Sequence, residues 1–161
     1  MNNSSIVDVF AQHEFLRGLS ERHKMILASG ARPFTAEPEQ VLAQEGERAH
    51  AFFLIRLGHV ALESTLPGGD GLLIQDVGPG EIVGWSWLVP PHQWQFRCRA
   101  VEAVEGISFD AEWLRDLCER DESLGYHLLK QLLMTVSSRL AASRGRQSDL
   151  GRSQAIEASA K

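Results

Sequence analysis

The chain has 161 residues, 43% hydrophobic and 23% charged, with a formal net charge of −5. That composition fits one ordinary globular domain, long enough to bury a core without disulfide or metal staples. The acidic balance argues against a duplex DNA partner, because neutralising backbone phosphates requires a basic face.

The opening Met1-Asn2-Asn3-Ser4-Ser5 lacks the charged and apolar regions of a secretion signal, and no apolar run approaches membrane-spanning length. From about Ile6 to Gly30 the spacing predicts short helices. Val7, Phe10, Phe15, Leu16 and Leu19 are followed by Ser20, an N-cap, and then by Met25, Ile26 and Leu27. From about Pro33 to Asp110 the pattern changes to short apolar or alternating runs: Gln40–Ala43, Ala51–Ile55, His59–Ser64, Leu72–Gln75, Phe96–Val101 and Val104–Phe109. Gly46, Gly58, the loop Pro67-Gly68-Gly69-Asp70-Gly71 and Gly78-Pro79-Gly80 separate them, which argues for a mainly β sandwich or barrel-like roll.

After the strands, Asp110 caps a helix through about Cys118, with Trp113, Leu114 and Leu117 on one side. Asp121 or Ser123 then opens a longer helix to about Ala142. Its broad apolar stripe is Leu124, Leu128, Leu129, Leu132, Leu133, Val136 and Leu140. The tail from Ser143 to Lys161 has little to bury besides Leu150 and Ile156, and is expected to be flexible or weakly helical. The expected division is an N-terminal segment 1–12, a domain 13–142 and a tail 143–161.

The order helix, roll with a Gly-Pro-Gly turn, short helix and long apolar helix resembles the cyclic-nucleotide-binding domain family, of the sensor type found in Crp/Fnr regulators. Phe15-Leu16-Arg17-Gly18-Leu19-Ser20 is similar to the family's opening helix motif. Gln44-Glu45-Gly46-Glu47, Ala51-Phe52-Phe53-Leu54-Ile55 and Gly58-His59-Val60 are similar to its first hairpins, and Gly78-Pro79-Gly80-Glu81-Ile82-Val83-Gly84 to the approach to its phosphate-binding cassette. The resemblance implies a double-stranded β-helix (jelly-roll-like β-roll) with N-terminal helices and a long C-terminal helix. Regulators of this type carry a helix-turn-helix after the long helix; the tail 143–161 is expected to be too short to supply both a scaffold and a recognition helix, and direct DNA binding is not expected.

The resemblance also implies a site. In the family a Gly-rich turn lets backbone approach the ligand, a carboxylate beside the Gly takes a ribose hydroxyl, and an arginine pairs with the cyclic phosphate. Here the carboxylate position after Gly84 is Trp85, and the arginine position falls on Trp94 or Gln95. Strand alternation puts Trp94, Phe96 and Cys98 on one face and Gln95, Arg97 and Arg99 on the other; which face meets the roll depends on register. Ordinary cyclic AMP or cyclic GMP recognition is expected to be lost or replaced. Candidate contacts for an unidentified small-molecule ligand are Gly84, Trp85, Ser86, Trp87, Trp94, Arg97 and Arg99. The same aromatic stretch, closed by Pro90-Pro91, also reads as a plug: a cavity filled by Trp85 or Trp94 favours a scaffold, an open polar one a sensor.

Other constellations are bland. The two cysteines, Cys98 and Cys118, fit neither a metal nor a disulfide spacing; packing roles and a reduced, cytoplasmic setting are expected. The six histidines, His13, His23, His50, His59, His92 and His127, form no His-x-His pair, so surface or locally bonded roles are expected rather than a metal centre. Gly84-Trp85-Ser86-Trp87-Leu88 lacks the second Gly of a nucleophile elbow, and no catalytic set is found. Arg139, Arg144, Arg146 and Arg152 complement the end of the long helix. Leu128, Leu132, Val136 and Leu140 are the expected interface of a homodimer.

The favoured reading is a stand-alone regulatory, ligand-sensing domain, without cofactor or metal, that biases a protein partner. Its rivals are a ligand-free dimeric scaffold and a cupin-like metalloenzyme.

Overall fold

The computed structural model describes residues 3–65 and 71–159, with side chains described for 6, 9–65 and 71–141. Most of the Pro67–Gly71 loop, and the side chains of Leu150, Ile156 and the arginines beyond Arg139, lie outside the described residues. Two compact units are present, Met1–Gly125 and Tyr126–Lys161.

The first unit is a mainly β roll with helices. Helices α1 (Asn3–Gln12) and α2 (Glu21–Gly30), with a 3-10 turn Glu14–Leu16 between them, precede the strands. These are β1 (Arg32–Ala36), β2 (Val41–Ala43), β3 (Ala51–Leu57), β4 (Val60–Thr65), β5 (Gly71–Val77), β6 (Ile82–Val83), β7 (Arg97–Ala100) and β8 (Val104–Asp110). They form two four-stranded sheets in the orders β1-β8-β3-β6 and β2-β7-β4-β5, every pairing antiparallel.

The six expected strands are present with ends shifted by a few residues. The structure adds two strands, β1 and β6, to those the sequence predicts. β1 carries Pro33 on a sheet edge and buries little, while β6 has two residues, too few to show a period.

Alternation explains why β3 reads Ala-Phe-Phe-Leu-Ile. Ala51, Phe53 and Ile55 enter the roll interior with Val60, Leu62, Val77, Val83, Trp94, Cys98 and Ala100. Phe52 takes the other face, where its ring lies 5.2 Å from Phe15 and 6.2 Å from Phe109. Phe109 in turn meets Phe10 of α1 and, stacked at 6.4 Å, Trp113 of the helix that follows β8. A strand buried on both faces has no polar side to display. Gly106 of β8 permits this closeness: a Cβ there would lie 2.2 Å from the Leu54 carbonyl oxygen.

The helix caps are those the sequence predicts. Ser20 Oγ accepts from His23 N–H at 3.2 Å, and Asp110 caps α3 (Ala111–Arg120) by accepting from Trp113 N–H at 2.8 Å. Asp121 Oδ1 accepts from Leu124 N–H at 3.1 Å at the start of α4 (Glu122–Ser159).

The second unit, Tyr126–Lys161, is the continuation of α4. The tail beyond Ser143, expected to be loose or weakly helical, is helical to Ser159; no proline interrupts it. Of the expected interface positions, Leu128 and Leu132 are buried while Val136 and Leu140 are exposed, as are Leu129 and Leu133. No helix among the described residues is long and apolar enough to cross a membrane.

Candidate functional site

The segment after β6 turns sharply. Gly84 sits at φ +98°, ψ +39°, a left-handed conformation that other residues adopt at a cost, and a 3-10 turn Trp85–Trp87 follows. A Cβ at Gly84 would lie 2.7 Å from the Trp94 ring and 2.8 Å from the Ala51 carbonyl oxygen. The glycine is therefore required twice, for its φ and for the indole seated on it.

Trp94 is 3% exposed. Its ring stacks on Phe53 at 6.3 Å and meets the edge of His50 at 6.2 Å. Its backbone is pinned as well: Trp94 N–H donates to the Glu47 carbonyl and Gly46 N–H donates to the Trp94 carbonyl, both at 2.8 Å. Ala49 N–H donates to the His92 carbonyl at 2.7 Å, so the loop that carries the Pro90-Pro91 pair is tied to the Gly46–Ala49 turn at both residues.

Trp87 goes the opposite way. It is fully buried, 5.9 Å from Phe52 on the helix-facing side of β3, and its carbonyl accepts from Arg115 Nη1 of α3 at 2.9 Å. Ser86 is buried beside it and Trp85 is half-buried. The two buried indoles thus belong to different cores, and neither indole N–H has a hydrogen-bond partner.

Of the expected contacts, Gly84 and Trp94 are brought together, with Trp85 adjoining Gly84 in the chain. Trp87 and Ser86 are packed away. Arg97 and Arg99 are turned away too, since Cys98 and Ala100 of the same strand are the members of the roll interior. On the outer face both arginines meet Glu63 of β4. Arg99 donates from Nε at 3.1 Å and, closer still, from Nη2 to Glu63 Oε1, while its Nη1 reaches Glu39 at 2.7 Å. Arg97 Nη1 lies 3.8 Å from Glu63 Oε2. Glu63 holds the Arg99 guanidinium above its ordinary range. Sequence reasoning misses this buried carboxylate; its one signal is a Glu directly after the apolar run Val60-Ala61-Leu62.

A separate cleft of about 530 Å³ lies by the approach turn, lined by Val9, His13, Ile55, Arg56, Pro79 and Gly80 among others. His13 is buried, and His23, also buried, lies 3.9 Å from Asp121. Burial first, then Asp121 and Glu119, push the Cys118 thiol up to about 11. Among the described residues no group of three or more His, Cys, Asp or Glu could hold a metal ion.

Residues 33–121 match the family described as "Cyclic nucleotide-binding domain". A cyclic nucleotide-binding protein of Geobacter metallireducens GS-15 superposes with a TM-score of 0.75 at 23% identity, covering 87% of this chain and 99% of that one. A cyclic nucleotide-binding domain from Methylobacillus flagellatus KT gives 0.74 at 22% identity, with 89% and 80% coverage. An acetyltransferase of Mycolicibacterium smegmatis, Pat, is 37% identical over 71 residues, which are 44% of this chain and 21% of that enzyme. Sequence family and fold agree: this chain belongs to the cyclic nucleotide-binding domain family.

Proposed function

We propose that this chain is a regulatory module that keeps the cyclic nucleotide-binding fold but does not take cyclic AMP or cyclic GMP in the usual way. Its cassette is filled by its own Trp94, and it acts as a ligand-free docking and dimerisation module for a protein partner in the cytoplasm, with no catalysis of its own. One observation carries this: a buried indole rests on Gly84, where the family resemblance puts the ligand.

The polar groups point the same way. Trp85 stands in place of the ribose-binding carboxylate, and the downstream arginines are engaged with Glu63 on the outer face. Charge-assisted hydrogen bonds contribute about 1.5–3 kcal/mol each. Losing two weakens a cyclic nucleotide by roughly two orders of magnitude or more. The rival reading, a sensor of another small molecule, requires Trp94 to leave its seat. For dimerisation the exposed positions Leu129, Leu133, Val136 and Leu140 of α4 are the surface a second copy would cover.

Isothermal calorimetry with cyclic AMP and cyclic GMP tests the reading. No binding is expected at millimolar nucleotide; a micromolar dissociation constant for either overturns it.

A further inference from the structure

Two histidines meet the Gly78–Glu81 turn from different elements. His13 is the N-cap of the 3-10 turn Glu14–Leu16, and its Nδ1 accepts from Phe15 N–H at 3.3 Å. A neutral ring bonded this way carries its proton on Nε2, which is buried and makes no hydrogen bond of ordinary geometry. Burial holds this imidazole below its ordinary range; the Glu81 and Ile55 carbonyls and the Glu14 carboxylate favour the charged ring but do not outweigh it. Arg56, ion-paired with Glu105, lines the cleft that His13 shares with Pro79 and Gly80, and Arg17 and Lys24 line the neighbouring cleft. The same two carbonyls hold the turn. Gly80 N–H donates to the Ile55 carbonyl at 2.9 Å, and Ile55 N–H donates to the Glu81 carbonyl at 3.0 Å.

His59, between β3 and β4, meets the turn through side chains. Its Nδ1 donates to Glu102 Oε1 at 2.6 Å, and its Nε2 lies 3.9 Å from Asp76 Oδ2. Its ring is 3.0 Å from where a Cβ on Gly78 would stand, and Glu81 Oε2 accepts from Gly78 N–H at 2.8 Å. The hydrogen bond to Glu102 is the first cause that raises this imidazole above its ordinary range, with Asp76 and Glu81 adding to it.

We infer that the Gly78–Glu81 turn is a proton-read element, closed while His13 is neutral and His59 is charged. Acid loosens it through His13: a proton on Nδ1 uncaps the Glu14–Leu16 turn and leaves a buried cation that competes for the Ile55 and Glu81 carbonyls holding the Gly78–Glu81 turn. Alkali loosens it through His59: the neutral ring keeps one N–H for Glu102 but no longer offsets the negative charge of Glu102, Asp76 and Glu81 around it. The signs are opposite. His13 favours the folded turn above the ordinary imidazole range and ceases to as pH falls; His59 favours it below that range and ceases to as pH rises through its folded value. The functional weight rests on the filled cassette. With Trp94 in the ligand's place, a proton is the input left to β6, which runs from this turn to Gly84.

The test is NMR on the full chain: imidazole titrations of His13 and His59, with intrinsically corrected amide exchange at Gly78 and Gly80 across the same pH range. His13 is expected to titrate below, and His59 above, the roughly 6.5 of a free histidine. Exchange at Gly78 and Gly80 is expected to be slowest between the two midpoints and about tenfold faster beyond each. His59→Gln removes the alkaline limb alone, and His13→Gln the acid limb alone. Should His13→Gln fail to fold, the wild-type titration still decides: a His13 midpoint at or above the free value, or exchange without an inflection at either midpoint, overturns the inference. Cyclic AMP binding by the same sample would overturn the filled cassette without moving the midpoints, so the two readings fail separately.

Discussion

Replacing Trp94 by alanine empties the space over Gly84, and two opposing effects set the size of the loss. Truncating a buried aromatic to alanine costs about 3–5 kcal/mol in lost transfer energy and residual cavity. Trp94 is 3% exposed and in contact with Phe53, so the full range applies. Against this, its indole N–H is buried without a partner, and removing such a group returns about 1–3 kcal/mol. The net expectation is destabilisation of about 2 kcal/mol, which for a chain of this size lowers the melting temperature by roughly 4–8 °C. Urea denaturation followed by circular dichroism measures it. Trp94→Phe keeps the ring contact and drops the unpaired N–H, and is expected to lose less than about half as much. A Trp94→Ala variant more stable than the wild type would show that the indole is not seated on Gly84, and the filled-cassette reading would go with it.

Arg99→Ala leaves the buried Glu63 with Arg97 alone, and is expected to cost about 1–3 kcal/mol in chemical denaturation, with Arg99→Ala plus Glu63→Ala less damaging than the two single losses added. Asp121 is held below the ordinary carboxylate range, first by Leu124 N–H and then by Arg22, so it stabilises the folded state above about pH 4 and ceases to as pH falls through its folded value; Asp121→Asn should flatten the acid limb of a stability–pH profile, and an unchanged limb would refute the assignment. With its pKa raised to about 11, Cys118 should react with Ellman's reagent at least about a hundredfold more slowly in the folded protein than in denaturant. Leu133→Glu should shift sedimentation equilibrium toward monomer without altering the circular dichroism of the roll; an unchanged association state would place the interface elsewhere.

Short-range signals carried most of the fold. The Ser20 and Asp110 caps and the apolar β3 are decided by neighbours three or four residues away, and these are found at the expected positions. The alternation that puts Cys98 on one face and Arg97 and Arg99 on the other also holds; which face meets the roll is open in the sequence, and the structure puts Cys98 inside. What the sequence left open depended on long-range packing. Trp87 and Trp94 are separated by a turn that breaks any period, so no spacing rule could assign them to opposite faces of β3. Glu63 is legible only after β4 and β7 are paired, with Glu63 opposite Arg97. The two histidines at the Gly78–Glu81 turn lie far apart in sequence and reach it from different elements, His13 from the start of the 3-10 turn Glu14–Leu16 and His59 from between β3 and β4.

Because its two buried indoles, Trp87 and Trp94, anchor in separate cores, the Gly84–Trp94 segment works as a rivet through the sheet at β3. Loosening one head transmits tension to the other, so neither layer should open by itself. Substitutions in the helix layer, such as at Phe15, should therefore perturb the emission of a tryptophan they never touch.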